Sequence, residues 1–215
     1  MSFDAVVFDC DGVLVDSETP LVAIDQLMLA DLGWKLTREE LHARFVGHTA
    51  DYFEAEVARH VGPLKPNWRE PYRHLIDHAL REDLVPIDGV RHVVTTLDVP
   101  VAVASNSSRK RVRESLAIVG LLQFFDGRIV SAEDVPHGKP APDVYLRAAD
   151  LLRIPPARCA AIEDSATGVN AARLAGMTVF GYADGLTSID TLRTAGAVTF
   201  SSMAELPDLL RRTRT

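Results

Sequence analysis

Asp9 and Asp11 stand one residue apart at the end of the apolar run Ala5-Val6-Val7-Phe8, immediately before Gly12. A short β-branched and aromatic run bounded by a turn residue reads as a buried strand. Residues i and i+2 of a strand point the same way. Just past the strand end, with glycine releasing the turn, both carboxylates can face one crevice. Carboxylates this close repel unless a cation or a shared proton intervenes. The pair therefore asks for a metal, an acid/base role, or both. It is not an EF-hand loop, which wants an acidic or amide residue and then glycine where this chain has Val13 and Leu14. A surface turn without chemistry is the plainer reading of the pair alone, so the rest of the chain has to decide.

Three other apolar runs end in polar residues. Val101-Ala102-Val103-Ala104 leads into Ser105 and Asn106, Ile129-Val130 precedes Lys139, and Cys159-Ala160-Ala161-Ile162 leads into Glu163 and Asp164. Singly, the serine could cap a helix, the lysine could be a solvated loop residue, and the acidic pair could open a helix. Together they suit phosphoryl transfer. Carboxylates hold Mg²⁺, a hard ion that prefers oxygen ligands. Lysine and hydroxyl or amide donors neutralise phosphate oxygens. One aspartate can be the nucleophile, giving an aspartyl-phosphate intermediate, and a second can protonate the leaving oxygen and then activate water.

The elements that must position these groups alternate. From Val85 onward, strands and helices succeed one another, which implies βαβ units and a doubly wound, Rossmann-like parallel sheet of the α/β class. In such a sheet the carboxyl ends of all strands share one edge, where ligands bind. Residues 16–84 read instead as a run of helices. Ser17 or Asp16 caps the first, Gly33 stops it, and Thr37 with Glu40 forms a capping box for the second. The expected organisation is a discontinuous core of residues 1–15 and 85–215 with an all-helical domain, 16–84, inserted after the first strand. Arg109, Lys110, Arg111 and Arg113 are expected on exposed positions of the helix after Ser105.

The chain has 215 residues and a formal net charge of −7. That balance disfavours a phosphate-backbone binder. No apolar run approaches the ~18 residues of a transmembrane helix, and the N-terminus carries no signal pattern. Cys10 and Cys159 lie in apolar runs and are expected to be reduced and buried, with Cys10 packing rather than reacting. The expectation is a cytoplasmic monomer acting on a small phosphorylated metabolite, without nucleic-acid or membrane partners.

Phe8-Asp9-Cys10-Asp11-Gly12-Val13 resembles the first motif of the haloacid dehalogenase-like superfamily, D-x-D-G-[TV]. Ser105 matches its second motif, Lys139 in Gly138-Lys139-Pro140-Ala141-Pro142-Asp143 its third, and Glu163-Asp164-Ser165 its fourth. The resemblance spans essentially the whole chain, and segment 16–84 is similar to the helical cap of the β-phosphoglucomutase-like and small sugar-phosphate phosphatase branch. It implies Asp9 as nucleophile and Mg²⁺ ligand, and Asp11 as general acid/base whose main-chain carbonyl reaches the metal. It further implies Asp164 as a metal ligand, Glu163 as a ligand or outer partner, and Ser105, Asn106 and Lys139 as phosphate-holding residues. Arg44, His48 and Thr49, flanking a cap turn, are the candidates for leaving-group selection. The implied activity is hydrolysis of a sugar or polyol phosphate; a phosphomutase is the alternative. Against the mutase, the positions where β-phosphoglucomutase carries a cap arginine and an early histidine are Ala50 and Leu21 here.

Overall fold

The computed structural model describes residues 3–45, 49–183 and 187–212. Strand β1 (Ala5–Phe8) is followed by β2 (Val15–Asp16), then helices α1 (Glu18–Asp31), α2 (Arg38–Phe45), α3 (Ala50–Val61) and α4 (Arg73–Glu82). Strand β3 (Val85–Pro86) leads to α5 (Val90–Thr96), β4 (Val101–Ser105), α6 (Arg109–Ile118), α7 (Leu122–Phe125) and β5 (Ile129–Ser131). The chain closes with α8 (Asp143–Leu152), β6 (Cys159–Glu163), α9 (Ala166–Leu174), β7 (Thr178–Tyr182), α10 (Ile189–Ala195), β8 (Val198–Phe200) and α11 (Leu206–Arg212).

Six strands form one sheet in the order β5-β4-β1-β6-β7-β8, and every neighbouring pair is parallel. β1 is central, with Val7 opposite Ala102 of β4 and Ala161 of β6. Both faces of a parallel sheet must be covered, and the alternation along β1 shows how. Val6 and Phe8 join an apolar cluster with Val90, Val93, Leu116, Phe125 and Leu206, so α5, α6, α7 and α11 cover that face. Ala5 and Val7 join the other cluster with Val144, Tyr145, Val169 and Leu192, from α8, α9 and α10. This is the expected doubly wound α/β architecture, and both cysteines are buried and free within it.

Helices α1 to α3 pack around a third apolar cluster that includes Val22, Leu29, Trp34, Leu41, Phe53 and Val57, and α4 packs against α1. Two chain passages tie this helical segment to the sheet. They pair as a short antiparallel ribbon, Val15 with Pro86 and Asp16 with Val85. The ribbon was not anticipated, because two residues are too short for a strand pattern. The capping box of α2 forms as expected, with Thr37 Oγ1 accepting from Glu40 N and the Glu40 carboxylate accepting from Thr37 N. Ser17 occupies the N-cap of α1 but makes no side-chain cap bond. Its hydroxyl is directed at Asp11 instead, and Asp16 Oδ1 accepts from Thr19 N at 3.2 Å.

Candidate active site

The carboxyl ends of β1, β4 and β6 open into a cavity of about 340 Å³ between the sheet edge and the helical segment. Asp9, Asp11, Ser105, Asn106, Lys139 and Asp164 all line it. The parallel sheet has thus brought four distant stretches of sequence to one wall.

Asp9 is buried at the end of β1. Its Oδ1 accepts from Cys10 N at 2.7 Å and from Lys139 Nζ at 2.8 Å. Among the described residues no donor reaches Oδ2, so one carboxylate oxygen is fixed and the other faces the cavity. Burial pushes the Asp9 carboxyl up to about 8, with Glu163 and Asp11 adding to the rise and Lys139 opposing it. Burial also works against the charge of Lys139, but the Asp9 and Glu163 carboxylates outweigh it and its pKa is raised. The Cys10 thiol, fully buried, is driven well above its ordinary value, first by burial and then by the flanking aspartates. That agrees with a packing role.

Lys139 is itself anchored from behind. Its Nζ lies 2.6 Å from Glu163 Oε1, which also accepts from Tyr145 OH at 2.7 Å. Glu163 Oε2 accepts from the backbone N–H groups of Asp164 and Ser165 and from the Ser165 hydroxyl. Both oxygens of Glu163 are therefore fully engaged inside the protein. Carboxylate oxygens of Asp9, Glu163 and Asp164 nonetheless lie within 4.8 Å of one another.

Two glycines make room for these acids. A Cβ on Gly12, whose φ is +78°, would sit 2.0 Å from Asp164 Oδ2, and one on Gly168 would sit 1.8 Å from Glu163 Oε1. Real atoms cannot approach so closely, so the backbone leaves space for each carboxylate. Ionised together, the three buried carboxylates would leave a formal net charge of −2 against the ammonium of Lys139, an imbalance reflected, after burial, in the raised pKa of Asp9. An all-oxygen donor set with that imbalance fits a hard divalent cation.

Asp11 is held differently. Oδ1 accepts from the Ser17 hydroxyl and, at 3.3 Å, from Arg111 Nη2, while Oδ2 accepts from Ser107 Oγ at 2.7 Å. Burial alone would raise its pKa, but the Arg111 guanidinium and the two hydroxyls outweigh it and hold the carboxyl below its ordinary value. Arg111 is a correction to the sequence expectation: it is half-buried and turned to the site, whereas Arg109, Lys110 and Arg113 are exposed. Ser105 Oγ accepts from Ser107 N at 3.0 Å. The Asn106 amide clasps the Lys139 backbone, donating to its carbonyl at 3.1 Å and accepting from its N–H at 2.8 Å. It locks the loop after β4 to the loop that carries the lysine.

The candidates from the helical segment divide. Thr49 lines the cavity and caps α3 through Tyr52 N at 3.2 Å. Arg44 is not among the lining residues; it lies 4.0 Å from Glu56 and 5.8 Å from the Trp34 ring. His48 lies outside the described residues. Leu21 and Ala50 both face the cavity, so the two departures from the mutase pattern are at the site. Sequence reasoning missed Asp25, Phe53, Arg69 and Arg111, which also line it.

A doubly wound sheet with a buried aspartate, an anchored lysine and an acidic cluster at its carboxyl edge is an arrangement suited to phosphoryl transfer. Comparison with known proteins identifies the family. Residues 3–176 match the family model for haloacid dehalogenase-like hydrolases, and the chain belongs to that family. It is 27% identical over 208 residues to the 6-phosphogluconate phosphatase of Escherichia coli K12, covering 96% of this chain and 94% of that one. It is 32% identical over 199 residues to the β-phosphoglucomutase of Bacillus subtilis 168, covering 84% of each. Among solved structures, a haloacid dehalogenase-like protein of Agrobacterium tumefaciens superposes with a TM-score of 0.85 at 36% identity, covering 97% of this chain and 98% of that one. The chain is a phosphoric monoester hydrolase of this family. Among the described residues no helix is long and apolar enough to cross a membrane.

Proposed function

We propose that the protein is a Mg²⁺-dependent phosphatase that hydrolyses a small phosphomonoester, a sugar or polyol phosphate, through an aspartyl-phosphate on Asp9. In this reading segment 16–84 is a cap domain over a core of 1–15 and 85–215. The observation that carries the proposal is the split environment of Asp9: Oδ1 is pinned by Cys10 N and Lys139, and Oδ2 is open to the cavity.

Asp9 Oδ2 attacks phosphorus and the bond to the leaving oxygen breaks; Asp11, ionised in the free site, relays to that oxygen the proton that a monoanionic phosphoester brings in. Water then attacks the acyl phosphate, Asp11 takes its proton, and inorganic phosphate leaves with Asp9 regenerated. The hydrogen bonds from Ser17 and Ser107 and the Arg111 pair hold Asp11 as the carboxylate, the form the second half-reaction needs. Asp9, Asp164 and the Asp11 carbonyl would hold Mg²⁺, which when bound supplies charge neutralisation for the phosphoryl oxygens. Glu163, with both oxygens engaged, serves Lys139 rather than the ion. Lys139 and Ser105 hold the phosphoryl group, and Asn106 sets the loop that presents Lys139.

One observation favours the mutase alternative: Arg69 places a cap cation in the cavity, where a mutase would need one for a second phosphate. Incubation with β-glucose 1-phosphate and a trace of glucose 1,6-bisphosphate separates the two. Inorganic phosphate released without isomerisation supports the phosphatase. Glucose 6-phosphate appearing faster than phosphate overturns it.

A further inference from the structure

The far wall of the cavity carries two guanidinium groups that the hydrolytic scheme does not use as donors to the reacting phosphate. Arg69 sits in the turn before α4 and Arg111 in the first turn of α6, so one comes from the helical segment and one from the core. The Nε atoms of both are buried and, among the described residues, have no hydrogen-bond partner. A buried donor without an acceptor is costly and rare in a folded protein. Both side chains line the cavity, and Arg69 has no acceptor among the described residues for any of its side-chain nitrogens, so a cation stands ready there for an anion that arrives with the ligand.

Arg69 is built for this. Its guanidinium carbon lies 4.5 Å from the Phe53 ring centre and 5.1 Å from that of Trp68. The aromatic faces fix the guanidinium, and among the described residues its side chain donates no hydrogen bond. Burial lowers its pKa against the opposing charges of Asp25 and Glu54, and the like charge of Arg111 adds a smaller push in the same direction as burial. An anion between the two would relieve both effects. The acid best placed to serve instead is Asp25, which faces both arginines across the same cavity. Among the described residues no hydrogen bond joins it to either arginine, so it leaves both Nε donors unmatched. The rest of this wall is apolar, with Val22, Met28 and Ile76, which suits one compact charged group rather than a string of hydroxyls.

We propose that this wall recognises a second anionic group, a carboxylate or a phosphate, on the leaving group of the phosphomonoester. The inference rests on the phosphatase reading for the position of the first phosphate and extends it to the substrate class: small phosphoesters with an acidic far end. A bidentate arginine contact is the strongest kind available for such a group.

The test is equilibrium binding to the Asp9→Asn protein, which isolates recognition from turnover. Three probes share a six-carbon frame: 6-phosphogluconate with a far carboxylate, glucose 1,6-bisphosphate with a far phosphate, and glucitol 6-phosphate with a neutral far end. At least one acidic probe should bind at least about tenfold tighter than the neutral one, with the advantage shrinking below about threefold in Asp9→Asn/Arg69→Met. Whichever acidic probe shows the larger advantage identifies the group. Equal or tighter binding of glucitol 6-phosphate overturns the inference, and so does an advantage that survives loss of Arg69. The ratio in the single variant decides even if the double variant does not fold. Turnover by the unmodified protein is read separately. No phosphate released from any probe or from p-nitrophenyl phosphate overturns the phosphatase reading, while the binding ratio still decides whether the anion site exists.

Discussion

Replacing Gly168 with alanine probes the anchoring of the buried Lys139 without touching any group proposed to meet the substrate. Gly168 lies inside α9, where alanine is ordinarily favoured over glycine by about 1 kcal/mol. Here the added Cβ would fall 1.8 Å from Glu163 Oε1 and 2.2 Å from Oε2, far inside the roughly 3.5 Å of a normal contact. The carboxylate must move, and it cannot do so without loosening its bonds to Lys139 at 2.6 Å and Tyr145 at 2.7 Å. Breaking a buried ion pair from one side costs about 3–5 kcal/mol. Set against the helix gain, Gly168→Ala should destabilise by about 2–4 kcal/mol. In a Glu163→Ala background the clash is gone, and the same change should be neutral or stabilise by up to about 1 kcal/mol. Urea unfolding with an unchanged m-value measures both arms of this cycle. Equal costs in the two backgrounds, or no cost with Glu163 present, would refute the packing argument and with it the role of Glu163 as the lysine's anchor.

Two other outcomes follow from the site. Excess chelator should abolish phosphatase activity and Mg²⁺ should restore it, while a soft, thiolate-preferring ion should not; full activity in protein shown to be metal-free would contradict the assigned donor set. Asp25 gives a pH signature, because its native value of about 6 stands above the ~3.9 of an unfolded chain. Its contribution to stability is complete below about pH 4 and is lost as pH rises through the native value. Asp25→Asn should therefore match the parent near pH 4 and be the more stable protein at mildly alkaline pH; parallel stability–pH curves would remove the assignment.

How far the site was legible in the sequence depended on which element carried each residue. Ser105 and Glu163 end strands of a parallel sheet, Asp9 and Asp11 lie just beyond the end of β1 and Asp164 just beyond that of β6, and parallel strands bring their carboxyl ends together whatever the loops do. Placing them required only the strand pattern. Arg111 was read as solvated because its neighbours Arg109, Lys110 and Arg113 are. A usable signal was present: it lies one turn past the Ser108 cap, and helical side chains lean toward the N-terminus, which here points at the sheet edge. Arg69 and Asp25 carried no such signal. Their positions depend on how α1 and α4 pack on α6, a non-local arrangement that periodicity does not encode. Arg44 failed for the same reason, since a helix of eight residues does not reveal which face meets the cavity. Ser17 shows tertiary context overriding local chemistry: a good capping residue gives its hydroxyl to Asp11, six positions earlier.

The central claim, that Asp9 carries the phosphoryl group, is tested most directly by trapping it. Rapid acid quench during turnover of a phosphomonoester, followed by peptide mass spectrometry, should find phosphate on Asp9 in the parent protein and none in Asp9→Asn, which should keep its fold and lose its turnover. Phosphate mapped to another residue, or an Asp9→Asn protein with near-parental turnover, would contradict the account.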